Sequence, residues 1–237
     1  ASVDEEVYEE TVPVPSKNII RAEPIGVCAG IIPWNFPMIM ASWKIAPAIA
    51  AGNSVVIKPA SVTPVTALML ADICKQAGVP DGVVNVVTGP GGEVGEELAT
   101  HPDIGKVAFT GSTEVGRRIM QLASGTIKKV TLELGGKSPN IILEDAELDT
   151  AAMGALFGTF LHQGQICESG TRVLVPQKLY DTFTDKMIEG SKRITIGDTM
   201  DMMTTMGPLV SAAQLKTVSN YVEVGKSEGA KLVVGGE

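Results

Sequence analysis

The stretch IGVCAGIIPWNFPMIMASWKIAPAIAAGNSVVIK, residues 25–58, holds one full cycle of the pattern that decides the fold. Residues 25–32 are an apolar run of strand length, which fits a strand buried on both faces. Residues 38–51 are apolar at helical length and stop at Gly52-Asn53, and residues 54–57 read as a second strand. Strand, helix and strand in so short a span form the unit of a parallel sheet.

The alternation continues outward. A helix is expected over 63–77 with Gly78 as its stop, strands over 83–87, 106–109 and 130–134, and helices over 92–98 and 113–124. The predicted class is α/β, an open parallel Rossmann-like sheet with helices on both faces. A second βα block follows Gly135-Gly136, with strands near 140–143 and 172–175, helices over 148–161, 178–192 and 212–229, and a strand-like run at 231–235 with no obvious partner after it. Domain limits are therefore expected at 24–134 and 135–237. Residues 1–23 fit neither block. They alternate imperfectly around Pro13 and Pro15 and read as a hairpin-like arm, one that pairs with another subunit or lies on its own surface.

Composition narrows the function. The chain has 237 residues, 44% hydrophobic and 19% charged, enough for a sizeable core. Its formal net charge is −8 with no long basic run, so it lacks the cationic footprint of a nucleic-acid binder. The apolar run at 45–56 is interrupted by Pro47, Gly52 and Asn53 and is too short to span a bilayer, so no membrane residence is expected. Three cysteines, an odd number, argue against a disulfide framework and for a reducing compartment. With no signal-peptide pattern at the start, a cytoplasmic location is expected.

Several residues stand where chemistry is possible. Cys167 lies in the polar, glycine-flanked stretch GQICESGTR at 164–172, between a helix and a strand, whereas Cys28 and Cys74 sit in apolar surroundings that suit packing. Glu133 ends a predicted strand, where a parallel sheet presents groups to a ligand, although a plain surface carboxylate satisfies the same pattern. Asn35 is held between Pro33 and Pro37, either to donate to an oxyanion or simply to cap a proline-rich turn. The glycine-rich turns at 89–95 and 111–116 join strands to helices and either present N–H groups to a phosphate or are ordinary tight turns. Arg117-Arg118 stands where a P-loop needs Lys then Ser or Thr, which excludes that loop. Lys58 follows a strand as a cation for a ribose or phosphate, or as a surface lysine.

PWNFP at 33–37, AGNSVVIKPA at 51–60, VAFTGSTEVG at 107–116, VTLELGGKSPNII at 130–142 and GQICESGTR at 164–172 occur in one order. In these motifs the chain resembles the aldehyde dehydrogenase superfamily, from about residue 12 to its end. The resemblance implies NAD or NADP as cofactor, an aldehyde as substrate, no metal, and a homo-oligomer, dimer or tetramer, for the full-length protein. It makes 24–134 the cofactor domain and 135–237 part of the catalytic domain. It assigns Cys167 as nucleophile, Glu133 as general base, and Asn35 with the Cys167 N–H as the oxyanion hole. Ile31, Pro33, Trp34, Lys58, Ser61, Gly91, Gly95, Gly111, Ser112, Thr113, Gly116 and Leu134 are implied along the cofactor. Relatives specific for NAD often carry Glu where this chain has Ser61, so NADP is expected to be accepted as well as NAD. A cysteine hydrolase pairing Cys167 with His162 is a second reading, but no orienting Asn or Asp stands out. A nucleotide-binding or oligomerising piece without turnover is a third. Family members are about twice as long.

Overall fold

The computed structural model describes residues 6–10 and 16–236, with side chains from residue 16 onward. Packing divides the chain into two units, Ala1–Leu134 and Gly135–Glu237. In the first, β1 (Glu6–Glu10) and β2 (Ser16–Ile20) pair antiparallel, Glu6 opposite Ile20. The remaining strands are β3 (Val27–Ile31), β4 (Ser54–Lys58), β5 (Val84–Val86), β6 (Ile104–Gly111) and β7 (Lys129–Leu134). They form one parallel sheet in the order β5-β4-β3-β6-β7. The winding runs one way from β3 to β5 and the other way from β6 to β7, so the switch point lies between β3 and β6.

The helices are α1 (Pro37–Ala50), α2 (Val65–Gln76), α3 (Glu96–Thr100) and α4 (Thr113–Ala123), and they cover both faces. Alternate residues of β3 make the two cores. Cys28 and Ile32 pack with Ala41 and Ile45 of α1, Ala67 of α2, Val55 and Ile57. Ala29 and Ile31 pack with Leu98 and Ala99 of α3, Ile119 of α4, Val107 and Phe109. The doubly buried strand inferred from residues 25–32 is this one, shorter at its ends. At Gly30 a Cβ would fall 2.5 Å from Ile57 Cδ1 and 3.1 Å from Lys44 Cδ, so a side chain here would push on the tip of Ile57 and the stem of Lys44.

Asn53 fixes the entry to that strand. Its Oδ1 accepts from the Ile25 and Gly26 N–H groups at 2.6 and 3.0 Å. Its Nδ2 donates to the Ala48 and Ala51 carbonyls at 3.2 and 3.3 Å. The side chain is 7% exposed, so its polar atoms are satisfied inside the protein.

Two expectations are corrected here. The helix expected over 92–98 begins instead as a wide π-type turn, Gly91–Gly95, and becomes α-helical only at Glu96. Pro90 precedes the turn, and over five residues periodicity does not separate a π-type turn from an α-helix. The strand-like run at 231–235, which had no obvious partner, forms no strand, and Val233 and Val234 are exposed. An apolar run becomes a strand only where a neighbour takes its N–H and C=O groups, and no described strand flanks this one.

The second unit holds β8 (Pro139–Ile141) and β9 (Arg172–Leu174), paired in parallel, with α5 (Leu148–Phe160), α6 (Tyr180–Ser191) and α7 (Ala212–Ser227). Its core is small, Ile142, Ala152, Ala155 and Phe183. Glu147 caps α5 by accepting from the Asp149 and Thr150 N–H groups at 3.1 and 2.8 Å.

Ile127 occupies the left-handed region (φ 53°) and is 91% exposed. A β-branched side chain is strained there and buries nothing in return. Ile127→Asn is expected to raise stability by about 1 kcal/mol, and Asn53→Ala to lower it by about 2–3 kcal/mol because four side-chain hydrogen bonds to the backbone are lost. Urea unfolding midpoints of the two variants check both signs.

Candidate active site

At the switch point the carboxyl ends of β3 and β6 border a cleft of about 510 Å³. Its walls include Ile31, Pro33 and Trp34 after β3, Lys58 and Ser61 after β4, Gly91 and Gly95 of the π-type turn, and Gly111 and Ser112 leading into α4. Lys58 is 4% exposed, and its Nζ donates to the Pro59 carbonyl at 2.9 Å. Burial pushes this ammonium below the ordinary lysine range. Ser61 is exposed and donates to the Gly89 carbonyl at 3.1 Å, tying the β4 turn to the glycine turn. Ser112 is the N-cap of α4, its Oγ accepting from the Val115 N–H at 3.3 Å, so the positive end of the helix dipole borders the cleft.

The other expected cofactor residues stand apart from these walls. Thr113 is the exposed first residue of α4. Gly116 and Leu134 pack on each other: a Cβ on Gly116 would fall 2.6 Å from Leu134 Cδ2, which is how α4 approaches β7. Asn35 is half-buried in the turn before α1. The helix it precedes is capped by Phe36, whose side chain makes no capping bond.

Sequence reading passed over Lys44, the single charged residue of α1, and that isolation was the available signal. Its stem lies over Gly30, and its Nζ donates to Thr110 Oγ1 at 2.7 Å. Thr110 faces Glu133 in the β6–β7 register. Burial lowers the Lys44 pKa to about 8, with the Glu133 carboxylate pulling the other way. Glu133 itself is exposed near the end of β7. Arg118 and Glu96, also missed, line the cleft as a bidentate pair, Nε to Oε1 at 3.0 Å and Nη2 to Oε2 at 2.8 Å.

In the second unit the segment before Cys167 is unusual. His162, Gln163 and Gly164 are consecutive left-handed residues (φ 54°, 58° and 72°). The loop is then pinned: the Gly170 N–H donates to the Gly158 carbonyl at 3.2 Å and Thr159 Oγ1 to the Gly170 carbonyl at 3.3 Å. Cys167 is exposed, while Cys28 is buried and its thiol pushed up by desolvation. A Cβ on Gly136 would fall 3.7 Å from the Cys167 carbonyl oxygen, so Gly136 lies beside the cysteine loop. Two left-handed non-glycine residues in a row hold backbone strain of the kind that gathers at working sites.

A doubly wound α/β unit with a cleft at its switch point, followed by a unit that exposes one thiol, defines the class. The family model described as the aldehyde dehydrogenase family matches residues 1–237, and the chain belongs to that family. It is 48% identical over 232 residues to the betaine aldehyde dehydrogenase of Bacillus subtilis strain 168, covering 98% of this chain and 47% of that protein. The structure of betaine aldehyde dehydrogenase from Staphylococcus aureus in complex with NAD+ matches with a TM-score of 0.94 at 40% identity, over 98% of this chain and 46% of that one. An NAD+ complex of aldehyde dehydrogenase from Bacillus cereus matches with a TM-score of 0.92 at 49% identity, over 97% and 47%. The chain thus spans about half the length of the relatives it matches. No described helix is long and apolar enough to cross a membrane.

The Lys44 pKa has a consequence for stability. The folded value of about 8 lies below an unfolded value of about 10.4, so between them the unfolded chain binds more protons. Stability therefore gains a Lys44 contribution as pH rises from about 8 to about 10.4. Urea midpoints across that interval are expected to climb in the wild type relative to Lys44→Met, which lacks the titration; parallel curves overturn it.

Proposed function

We propose that this chain supplies the cofactor cleft and the reactive thiol for the NAD(P)-dependent oxidation of an aldehyde to a carboxylic acid. The observation that carries the reading is the convergence of Ile31, Pro33, Trp34, Lys58, Ser61, Gly91, Gly95, Gly111 and Ser112 on one cleft at the sheet's switch point. Residues 24–134 are the cofactor domain in this reading, and 135–237 the part of the catalytic domain that bears the thiol.

The residues present fit a dinucleotide. Gly91 and Gly92 have nothing within 4 Å of where a Cβ would stand, so their backbone is open to close approach by a ligand. Lys58 provides a cation for the adenosine ribose and the α4 N-terminus suits a phosphate. When bound, the nicotinamide supplies the hydride acceptor.

The chain's own groups do the rest. The Cys167 thiolate adds to the aldehyde carbon, and the carbonyl π electrons move onto oxygen. Asn35 and the Cys167 N–H donate to that oxyanion. Re-formation of the C=O as hydride departs leaves a thioester on Cys167. Glu133 then takes a proton from water, the hydroxide attacks the thioester, and the Cys167 thiolate leaves with the acid as product. Lys44 lies close enough to Glu133 for the carboxylate to favour its ammonium form.

The relatives named for betaine aldehyde put that compound first among aldehydes to try. A homo-oligomer, dimer or tetramer, for the full-length protein is part of the proposal. Supporting it, β2 belongs to a hairpin and leaves Ile19 and Ile20 more than half exposed, at 53% and 56%. Expectations for the arm outside residues 6–10 and 16–23 lie beyond the described residues.

Formation of reduced nicotinamide with an aldehyde panel is expected to vanish in Cys167→Ala. Glu133→Gln is expected to retain acylation but to slow thioester release by at least about 100-fold, seen as a burst without turnover. A Glu133→Gln variant with wild-type turnover overturns the assigned base.

A further inference from the structure

The choice between the two nicotinamide dinucleotides rests on whether a phosphate on the adenosine ribose is tolerated, and the cleft carries a charged device that neither Ser61 nor Lys58 explains. Its charged lining consists of Lys58, Glu96 and Arg118. The Lys58 ammonium is buried against the Pro59 carbonyl. Arg118 projects from the second turn of α4, and Glu96 opens α3 directly after the glycine turn, so the two meet across the wall formed by both helices. Their side chains are 54% and 37% exposed, so water and ligand both reach them.

We propose that Glu96 and Arg118 set cofactor preference, Arg118 acting as a cation for the 2′-phosphate of NADP and Glu96 as the carboxylate that restrains it. The proposal rests on the reading of this cleft as a dinucleotide site. Ser61 presents a neutral hydroxyl already donated to Gly89, so from that side nothing repels a 2′-phosphate. The opposing charge comes from Glu96. A guanidinium offers the same planar fork to carboxylate and phosphate, so the phosphate must compete with Glu96 for one set of donors. When the phosphate takes the fork, the Glu96 carboxylate faces a dianion without its cation. NAD, with a ribose hydroxyl there, leaves the pair intact. Wild-type selectivity is therefore a balance that either member alone can tip, in opposite directions.

Titration calorimetry of NAD and NADP, run separately, tests this without needing turnover. Arg118→Ala is expected to weaken NADP by about tenfold or more and NAD by less than about threefold. Glu96→Gln, which keeps the shape and removes the charge, is expected to tighten NADP by about tenfold with NAD nearly unchanged. Arg118→Lys, retaining the charge without the fork, should fall between wild type and Arg118→Ala for NADP. Equal changes for both cofactors overturn the proposal and make the pair a plain wall for the adenine. An unmoved NADP-to-NAD ratio in all variants overturns it too, while leaving the cleft as a dinucleotide site. Failure of the folded wild type to bind either cofactor overturns this inference together with the function proposed above.

Discussion

The reversal of winding at β3 and β6 is the constraint on which the first unit depends. Helices α1 and α2 must cover one face and α3 and α4 the other, so the loops leaving β3 and β6 diverge and open a cleft between them. For this to happen β3 must be buried on both faces. Cys28 and Ile32 serve one core and Ala29 and Ile31 the other, with Gly30 between them admitting α1. Asn53 complements that packing by joining the end of α1 to the start of β3 through four hydrogen bonds. The position of Trp34 and Pro33 at the cleft is thus fixed by the core beneath them.

Much of this was legible in the sequence, for identifiable reasons. The parallel sheet announced itself through apolar runs of strand length spaced by helices, because a strand covered on both faces has no polar side to show. The division at Leu134–Gly135 coincides with a glycine pair that any reader marks as a break. Where the reading went astray, the deciding partner was distant in sequence. Residues 231–235 have strand composition and no strand beside them. Gly91–Gly95 makes a wide turn that periodicity does not distinguish from an α-helix.

The site shows the same division. Glycines, Lys58 and Ser61 were readable because turns after strands have chemical signatures. Lys44, Glu96 and Arg118 were not, since each draws its character from a group far along the chain: Thr110 and Glu133 for the lysine, and one another for the ion pair. A helical Lys in an apolar segment reads as a surface residue until the fold shows its ammonium hydrogen-bonded to a threonine on the neighbouring strand. The match to the S. aureus enzyme across 98% of this chain shows that the backbone carrying these groups follows a shared fold.

The vacancy at Gly30 reaches further than packing. The hydrogen that replaces a side chain there is what gives the Lys44 stem its path over the strand to Thr110. A single added methyl at residue 30 would push against aliphatic carbons, yet the group displaced at the far end of those carbons is an ammonium poised to lose its proton near neutrality. A steric change in the hydrocarbon interior is therefore carried along the Lys44 stem to an ammonium bonded to a threonine on another strand. The lever arm is four methylenes long, and its fulcrum is the missing side chain of a glycine.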